Sequence, residues 1–534
     1  MRRRKDGDFS GETVCCLVWP DKLPSGADFV ADAYMPETVD SYSRLLQRAD
    51  ELHCGRALRV FFDNLERSWQ GYTLEGPIPI AVVLCARRPY HLIGSLSNIE
   101  LLPYVLDIRA TKERASLLAS GDKEPVTPAM QIDAINPTLL RNISGAPEIA
   151  PVSMLGCGSV GSKMAMHLAR CGIKISVVSD DAALRPHNMA RHALARSSFA
   201  GSKASELANE LEQLDQSPTV KKGDLVAELS KRESRKGVLP KKTGFAINTT
   251  ASLGVREALS NLAPKDTKVR LAEVALFGRG DGGFLLIEGA SRNPTLCDLV
   301  AEMNATVTDG RVRQLLFDPA FGLTEIQIGQ GSGSLTMPMT DMRLSAMTAA
   351  LTEEFVEHAA RGGHGCIIVG SRAQNTSDTT WTRQDVPPLE VVQIEGPKGW
   401  SVRISQRVLH EIHAEIGRYP TVETGGVLIG TCSARLKAVI VVDLVPAPPD
   451  SVRSAARFVL GTCGLKAAII ERHRASGNTV FDVGTWHSHL GDFGPSALDH
   501  TTAKELAAER PPPSVLLIAA PTRFYALMHE DATE

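Results

Sequence analysis

The amino-acid sequence predicts an α/β protein with several domains, and three observations lead to this prediction. A glycine-rich loop joins an apolar strand to a helix within residues 152–181, and a second apolar strand ends in two histidines within residues 481–489. The chain has 534 residues, 43% of them hydrophobic, which is too long for one core. Composition predicts three parts, at residues 1–140, 141–392 and 393–534, with a polar, threonine-rich connection at 371–385 before the last part.

The N-terminal part carries the least specific pattern. Strands at 14–19 and 78–85 and a helix at 37–53 predict an α/β accessory domain that recognises a partner. If this part were a conjugating-enzyme-like module, it would need a catalytic cysteine. Cys54 and Cys85 are the candidates, and neither lies in a recognisable motif.

The middle part opens with a nucleotide-binding pattern. Gly156, Gly158 and Gly161 form a G-x-G-x-x-G turn, which brings backbone N–H groups and a helix N-terminus up to phosphates. Asp180 follows about 20 residues later, where a carboxylate suits a ribose hydroxyl. These residues predict a Rossmann-like domain, and they fit a nicotinamide-dependent dehydrogenase as well as a nucleotide-binding activating enzyme.

The next segments distinguish between these two classes. Residues 186–191 (PHNMAR) and 200–203 (AGSK) resemble the ThiF/MoeB/HesA family of ubiquitin-activating-like adenylyltransferases. The resemblance implies that ATP is the cofactor and that Asp180 contacts its ribose. It also implies that three side chains bind the nucleotide and its phosphates, namely Asn188, Arg191 and Lys203.

Two segments depart from the pattern of that family. Residues 245–252 (FAINTTAS) contain no carboxylate where the family has an aspartate that helps to hold Mg²⁺, so either Mg²⁺ is held differently here or adenylation is weak. A step that carried the activated cargo further would need a nucleophile, and Cys297 and Ser332 are the candidates. Ser332 stands in a Gly/Ser loop where related bacterial proteins have a cysteine, which would give an oxyester or no covalent step.

The C-terminal part contains the most specific pattern. His487 and His489 are two residues apart on the apolar strand, so both imidazoles share a face and can reach one ion. Asp499 falls one turn into a helix opened by Pro495 and Ser496, and it is the natural third ligand. Three protein ligands and an open position for water are typical of a catalytic zinc site. The Ser496 hydroxyl beside the metal can stabilise a developing oxyanion.

Glu423 precedes the glycine-flanked apolar strand at residues 425–430 and supplies the base that such a site needs. Together with H-x-H and S-x-x-D, this segment resembles the JAB/JAMM (MPN) metalloprotease family, whose fold is α/β. The resemblance implies zinc on the two histidines and Asp499, Glu423 as general acid/base and Ser496 in the oxyanion role. Leu490 replaces the usual proline, and the loop to Ser496 is one residue shorter. An alternative is an inactive paralogue in which these residues only cap a strand and a helix.

The combination of the two domains predicts the function. Activating and JAMM domains act in one pathway, and this chain resembles the fused form found in bacterial operons for ubiquitin-like modification, including antiviral ones. We expect a bifunctional enzyme that adenylates the C-terminus of a ubiquitin-like protein with ATP and acts as a zinc (iso)peptidase in processing or deconjugation. Expected partners are a ubiquitin-like protein and a conjugating-enzyme-like protein, with a homodimer as the assembly.

Two other functional classes remain open. In one, the Rossmann-like domain only binds the ubiquitin-like protein or dimerises, and the chain is a plain zinc isopeptidase. In the other, the chain is an NAD-linked oxidoreductase with an appended hydrolase.

Composition excludes other functional classes. The formal net charge of -3 gives no global basic field for nucleic acid. No apolar run approaches the ~20 residues of a membrane helix, and the basic start lacks the apolar core of a signal peptide. The ten scattered cysteines fit reduced thiols, so we expect a cytoplasmic protein.

Overall fold

A computed structural model describes residues 2–3, 9–10, 13–110, 116–132, 134–196, 201–322, 324–329, 332–510 and 513–529. By its internal contacts the chain divides into two compact units, Met1–Ser144 and Gly145–Glu534. Apart from residues 141–144, the predicted middle and C-terminal parts both lie in the second unit. The domain boundaries near residues 140 and 392 stay predictions.

The first unit is an α/β unit with a four-stranded sheet. Its elements are β1 (Arg2–Arg3), β2 (Phe9–Ser10), β3 (Cys15–Val18), α1 (Tyr42–Glu51), α2 (Gly55–Trp69), β4 (Ile78–Arg87), β5 (Ile99–Ile108), β6 (Val126–Pro128) and α3 (Pro137–Ser144). In the sheet β3 pairs in parallel with β4, whereas β4–β5 and β5–β6 are antiparallel. Cys54 and Cys85 are both fully buried in this unit, and burial raises the pKa of Cys54 to about 12 and that of Cys85 above its usual range. Neither thiol is therefore prepared to act as a nucleophile.

The second unit begins with a Rossmann-like layer. Its elements are β7 (Val152–Leu155), α4 (Ser159–Arg170), β8 (Ile175–Ser179), α5 (Lys203–Glu212), β9 (Thr219–Lys221), α6 (Leu225–Ser230), α7 (Arg232–Val238), β10 (Phe245–Asn248), α8 (Leu253–Ser260), β11 (Arg270–Phe277), β12 (Gly282–Ile287), α9 (Leu296–Thr306), α10 (Gly310–Phe317), β13 (Thr324–Gly329), β14 (Ser332–Thr336), α11 (Asp341–Arg361), β15 (Gly365–Arg372) and β16 (Thr379–Val386). The eight-stranded sheet has the order β16-β15-β12-β11-β10-β7-β8-β9, and its strands from β11 to β9 are parallel. Strands β7 and β10 are buried along their whole length, as central parallel strands are.

The polar stretch at 371–385 is not the connection that its composition predicts. Residues 379–386 form β16, an edge strand whose side chains are mostly exposed, which explains their polar, threonine-rich character. The sheet therefore extends further along the chain than its polarity suggests.

The rest of the second unit is a closed barrel with flanking helices. Its elements are β17 (Glu390–Glu395), β18 (Ser401–Ile404), α12 (Gln406–Arg418), β19 (Gly425–Ser433), β20 (Ala438–Pro446), β21 (Val452–Arg453), β22 (Phe458–Val459), α13 (Leu465–Ala475), β23 (Phe481–Ser488), α14 (Ala497–Glu509), β24 (Val515–Ala519) and β25 (Phe524–Leu527). The barrel order is β17-β18-β20-β19-β23-β24-β25, and β21 with β22 forms a separate hairpin. The antiparallel pairing of β19 with β23 places Gly425 opposite His487. The predicted α/β fold class is confirmed.

The Rossmann-like sheet and the barrel share one core. A single cluster of buried apolar side chains includes Leu155 and Ala246 from the sheet and Val427 and Ile440 from the barrel. The second unit is therefore one packed body. Among the described residues, no helix combines the length and apolar character needed to cross a membrane.

Candidate metal centre and nucleotide site

Three side chains converge at the end of β23. The Nε2 atoms of His487 and His489 lie 3.2 Å apart, and the Asp499 carboxylate lies 3.2 Å from the first and 3.5 Å from the second. The three side chains are at most 13% exposed, and their ligand atoms all lie within 4.8 Å of one another. Two imidazole nitrogens and one carboxylate are a donor set that suits Zn²⁺. The residues present therefore fit a metal ion.

The start of α14 orients the carboxylate of this group. Ser496 is the N-cap of the helix: its Oγ accepts from the Asp499 N–H at 3.2 Å, and its own N–H donates to the Asp499 carboxylate at 2.6 Å. Burial acts to raise the pKa of Asp499, but hydrogen bonds from His487 and Ser496 outweigh it and hold that pKa well below its usual range. The carboxylate is thus kept in the ionised form that binds metal.

The second histidine has its own support. Nδ1 of His489 lies 3.4 Å from the carbonyl oxygen of Phe493, so it donates there and leaves the Nε2 lone pair for a metal. This contact lies inside the shortened loop that begins at Leu490. The loop that departs from the family pattern therefore itself helps to orient His489.

Glu423 faces the same cavity as the three ligands. The cavity has a volume of about 580 Å³ and is lined by Glu423, Ser496, the three ligands and residues 455–460 of the β21–β22 hairpin. Glu423 is only 9% exposed, and burial raises the pKa of its carboxyl group. A carboxyl group that faces the same cavity as the three candidate ligands is placed to accept and return a proton there.

Two residues that the sequence analysis did not identify connect Glu423 to the histidines. Thr424 donates its N–H to Oγ of Ser488 at 3.0 Å, and the Ser488 N–H donates to the Thr424 carbonyl at 2.7 Å. Ser488 lies between the two histidines and points to the other face of β23. This strand alternation is the signal that would have identified it.

The glycine-rich loop is built tightly at the carboxyl end of β7. Gly156 has a φ of +97°, and a Cβ on Gly161 would lie 2.1 Å from the Gly156 carbonyl oxygen, so both positions require glycine. Gly158 is the N-cap of α4. The carboxylate of Asp180 accepts from the N–H of Cys157 at 2.7 Å, which places Asp180 directly beside the loop.

Three nucleotide-binding candidates remain, and each makes a different contact near this loop. Lys203 begins α5, and its N–H donates to the Ala182 carbonyl, two residues after Asp180. Asn188 uses its Oδ1 to accept from the Arg185 N–H at 2.9 Å. The Arg191 guanidinium donates to the Met337 carbonyl, from the segment that follows β14.

His192 is a further residue that the sequence analysis missed. Its Nε2 donates to the Cys157 carbonyl at 2.8 Å, which ties the Asn188–Arg191 turn to the glycine-rich loop. Burial lowers the pKa of His192, so the ring is neutral. Its proton lies on Nε2, because the Cys157 carbonyl oxygen can only accept a hydrogen bond. Apart from its position next to Arg191, the sequence gives no signal for this role.

The end of β10 does not fit Mg²⁺. Asn248 donates to Glu273 at 3.1 Å and accepts from the hydroxyl of Thr250 at 2.7 Å. Glu273 is 1% exposed, and its carboxylate forms an ion pair with Arg256 at 2.6 Å. Residues 245–252 thus offer amide and hydroxyl oxygens instead of the carboxylates that usually bind this ion.

The two nucleophile candidates differ in what the structure describes. Cys297 is the second residue of α9, and burial raises the pKa of its thiol to about 12, which disfavours the reactive thiolate. Ser332 begins β14, and its side chain lies outside the described residues. Neither position gains support as an acyl carrier.

Comparison with known proteins identifies two families in this chain. Residues 148–268 match the ThiF family, and residues 405–528 match the prokaryotic homologs of the JAB domain. A CD-NTase/cGAS isopeptidase of Enterobacter hormaechei subsp. hoffmannii (strain UCI 50) is 27% identical over 134 residues, which cover 24% of this chain and 73% of that protein. Both families expected from the motifs are therefore present, in the expected order.

Solved structures show a weaker similarity. E. coli MccB with AMPCPP and MccA is 11% identical, with a TM-score of 0.31 over 44% of this chain. This chain spans 63% of that MccB chain. PaaA is 14% identical, with a TM-score of 0.30 over 44% of this chain and 72% of PaaA.

Proposed function

We propose that this chain, which joins a ThiF-family domain to a JAB domain, is a bifunctional enzyme of bacterial ubiquitin-like modification. Its barrel acts as a zinc (iso)peptidase of JAMM type, and its Rossmann-like domain adenylates the C-terminus of a ubiquitin-like protein. The observation that carries the proposal is the convergence of His487, His489 and Asp499 in one cavity with the buried Glu423. The isopeptidase name of the Enterobacter relative supports amide hydrolysis as the reaction class.

The peptidase mechanism assigns one role to each side chain. Zn²⁺ held by the two histidines and Asp499 would acidify a water towards a pKa near ~7 and polarise the scissile carbonyl. Glu423 takes the proton of the attacking water and passes it to the leaving amine nitrogen. Oγ of Ser496 accepts a hydrogen bond from the Asp499 N–H. The hydroxyl hydrogen of Ser496 can then stabilise negative charge on the substrate carbonyl oxygen.

In the proposed adenylation reaction, the glycine-rich loop and nearby side chains bind ATP. The loop N–H groups receive the phosphates of ATP, and Asp180 receives the ribose. Arg191 and Lys203 compensate the charge as the carboxylate of the partner attacks the α-phosphate and pyrophosphate leaves.

The proposed partners follow from this scheme. They are a ubiquitin-like protein, a conjugating-enzyme-like protein and a second copy of this chain. The name of the Enterobacter relative suggests that the protein released by cleavage belongs to the CD-NTase/cGAS class, and we propose antiviral defence as the setting.

A second candidate function has a specific observation in its favour. Because residues 245–252 offer no carboxylate and Glu273 is already paired with Arg256, the Rossmann-like domain would have to adenylate without the usual Mg²⁺ ligand. In this alternative, the chain is a zinc isopeptidase whose Rossmann-like domain binds the ubiquitin-like protein or dimerises without catalysis.

One experiment separates the two candidates. ATP–pyrophosphate exchange is measured with the full chain carrying Glu423→Gln, which prevents cleavage, and a bacterial ubiquitin-like protein that binds it. Exchange that depends on this protein and is lost in Arg191→Ala supports the bifunctional enzyme. Binding without exchange supports the isopeptidase with a non-catalytic Rossmann-like domain.

A further inference from the structure

The hairpin beside the metal centre needs support from outside itself. Two residue pairs join its strands, Val452 with Val459 and Arg453 with Phe458. The hairpin lies outside the barrel sheet, yet residues 455–460 form a wall of the cavity that contains Glu423. A two-stranded hairpin alone is at best marginally stable in water, so other contacts must hold this wall in place.

Arg453 supplies such contacts through its guanidinium group. The guanidinium carbon lies 4.2 Å from the ring centre of Tyr419 and 5.9 Å from that of Phe458. Its Nε donates to Oγ1 of Thr424 at 3.1 Å, and a terminal nitrogen lies 3.7 Å from the Glu415 carboxylate. The side chain is only 16% exposed, which strengthens both the cation–π and the charged contacts.

The hairpin in turn fixes the backbone at Glu423. The N–H of Glu423 donates to the carbonyl of Ser454, the residue after Arg453, at 2.8 Å. Thr424, which receives the Arg453 hydrogen bond, is also bonded to Ser488 between the two histidines. One arginine therefore connects the hairpin, the Glu423 segment and the histidine strand.

The close approach of the hairpin depends on a glycine. A Cβ on Gly425 would lie 2.5 Å from the ring of Phe458 and 2.2 Å from the Trp486 carbonyl oxygen. The absence of a side chain at this position lets the hairpin pack directly on the start of β19. This close packing brings Arg453 of the hairpin within hydrogen-bond distance of Thr424, the residue before Gly425.

We propose that Arg453 is a positioning residue for Glu423. By holding the hairpin on the first residues of β19, it sets where the Glu423 carboxyl stands in the cavity. This inference rests on the proposed role of Glu423 as general base. A displacement of a catalytic group by ~1 Å can cost roughly 100-fold in rate, so the loss of Arg453 should act mainly on kcat.

The kinetic test uses the full chain and a bacterial ubiquitin-like protein fused through its C-terminus to green fluorescent protein. Arg453→Ala should lower kcat by roughly tenfold or more, with a smaller change in KM and an unchanged zinc content. Arg453→Lys should recover part of the loss, because an ammonium group can still lie over the Tyr419 ring. Arg418→Ala is the matched control, since it removes an exposed cation paired with the same Glu415 at 3.1 Å. Wild-type kcat in Arg453→Ala would overturn the inference.

A second measurement does not depend on activity. Because the Glu423 amide donates to the hairpin, its hydrogen exchange should be faster in Arg453→Ala than in the wild type and in Arg418→Ala. Unchanged exchange at this amide contradicts the positioning role, whatever the kinetics show. If the wild type fails to cleave the fusion, the proposed peptidase function fails, while the exchange data still decide whether Arg453 holds the hairpin on Glu423.

Discussion

The guanidinium of Arg403 in β18 lies 2.6 Å from the carboxylate of Asp298 in α9, and this ion pair joins the barrel to the Rossmann-like layer. Asp298 is fully buried in the pair, and the Arg403 side chain is 15% exposed. Nearby, the Ser433 hydroxyl of the barrel donates to Glu257 of α8 at 2.6 Å. Charged and polar contacts thus accompany the apolar core that the two domains share.

Removal of this ion pair should destabilise the whole second unit. Arg403→Ala leaves the Asp298 carboxylate buried without its partner, a change that typically costs about 3–5 kcal/mol in the free energy of unfolding. The measurement is denaturant unfolding followed by tryptophan fluorescence. Arg361→Ala is the control, because its pair with Glu357 is exposed and such pairs contribute ~0–1 kcal/mol. Equal effects of the two variants would contradict a structural role for Arg403.

The general base can be tested separately from the metal. Glu423→Gln should keep zinc at the wild-type content and lower cleavage of the ubiquitin-like fusion by roughly 10²- to 10⁴-fold, because the amide cannot accept the proton. Metal analysis by atomic emission accompanies the assay. Substantial cleavage by the Gln variant would remove Glu423 from the mechanism.

Removal of one candidate metal ligand tests the proposed zinc site. His487→Ala removes one of three converging donors, so the purified variant should lose stoichiometric zinc and all cleavage. His410→Ala, which alters an exposed histidine on α12, should keep both. A His487 variant that still held one zinc per chain would show that the metal is bound elsewhere.

The glycine-rich loop offers a steric test of nucleotide binding. A Cβ on Gly161 would meet the Gly156 carbonyl oxygen at 2.1 Å, so Gly161→Ala should abolish binding of a fluorescent ATP analogue while peptidase activity persists. Gly310→Ala adds the same methyl group in open space at the start of α10 and should bind normally. Unchanged ATP binding in Gly161→Ala would place the nucleotide elsewhere.

The buried His358 should make the stability of the second unit depend on pH. It is fully buried between Arg270 and Arg383, and burial together with these two charges lowers its pKa to about 4. The unfolded chain binds a proton near the ordinary pKa, ~6.5, and the folded chain only near pH 4, so stability should fall as pH drops through this range. Unfolding midpoints at pH 7.5 and 5 measure this, and His358→Gln should reduce the difference whereas His410→Ala should not.

The convergence of the three candidate metal ligands was predictable because its determinants are local. The two histidines lie on one strand, and Asp499 follows from the Ser496 cap, so spacing alone indicates that they converge. The Arg403–Asp298 pair joins residues 105 positions apart, and no local pattern indicates it. The polar strand at 379–386 was mistaken for a connection because an exposed edge strand has the composition of a loop.

The shared core has an evolutionary consequence. Residues of β19 and β20 pack in the same cluster as residues of β7 and β10, so a substitution in the barrel changes the packing surface of the Rossmann-like layer, and the reverse also holds. The two halves would therefore be expected to change together over time, and exchange of either half with that of a distant homologue should yield an insoluble chimera unless the facing side chains are exchanged as well.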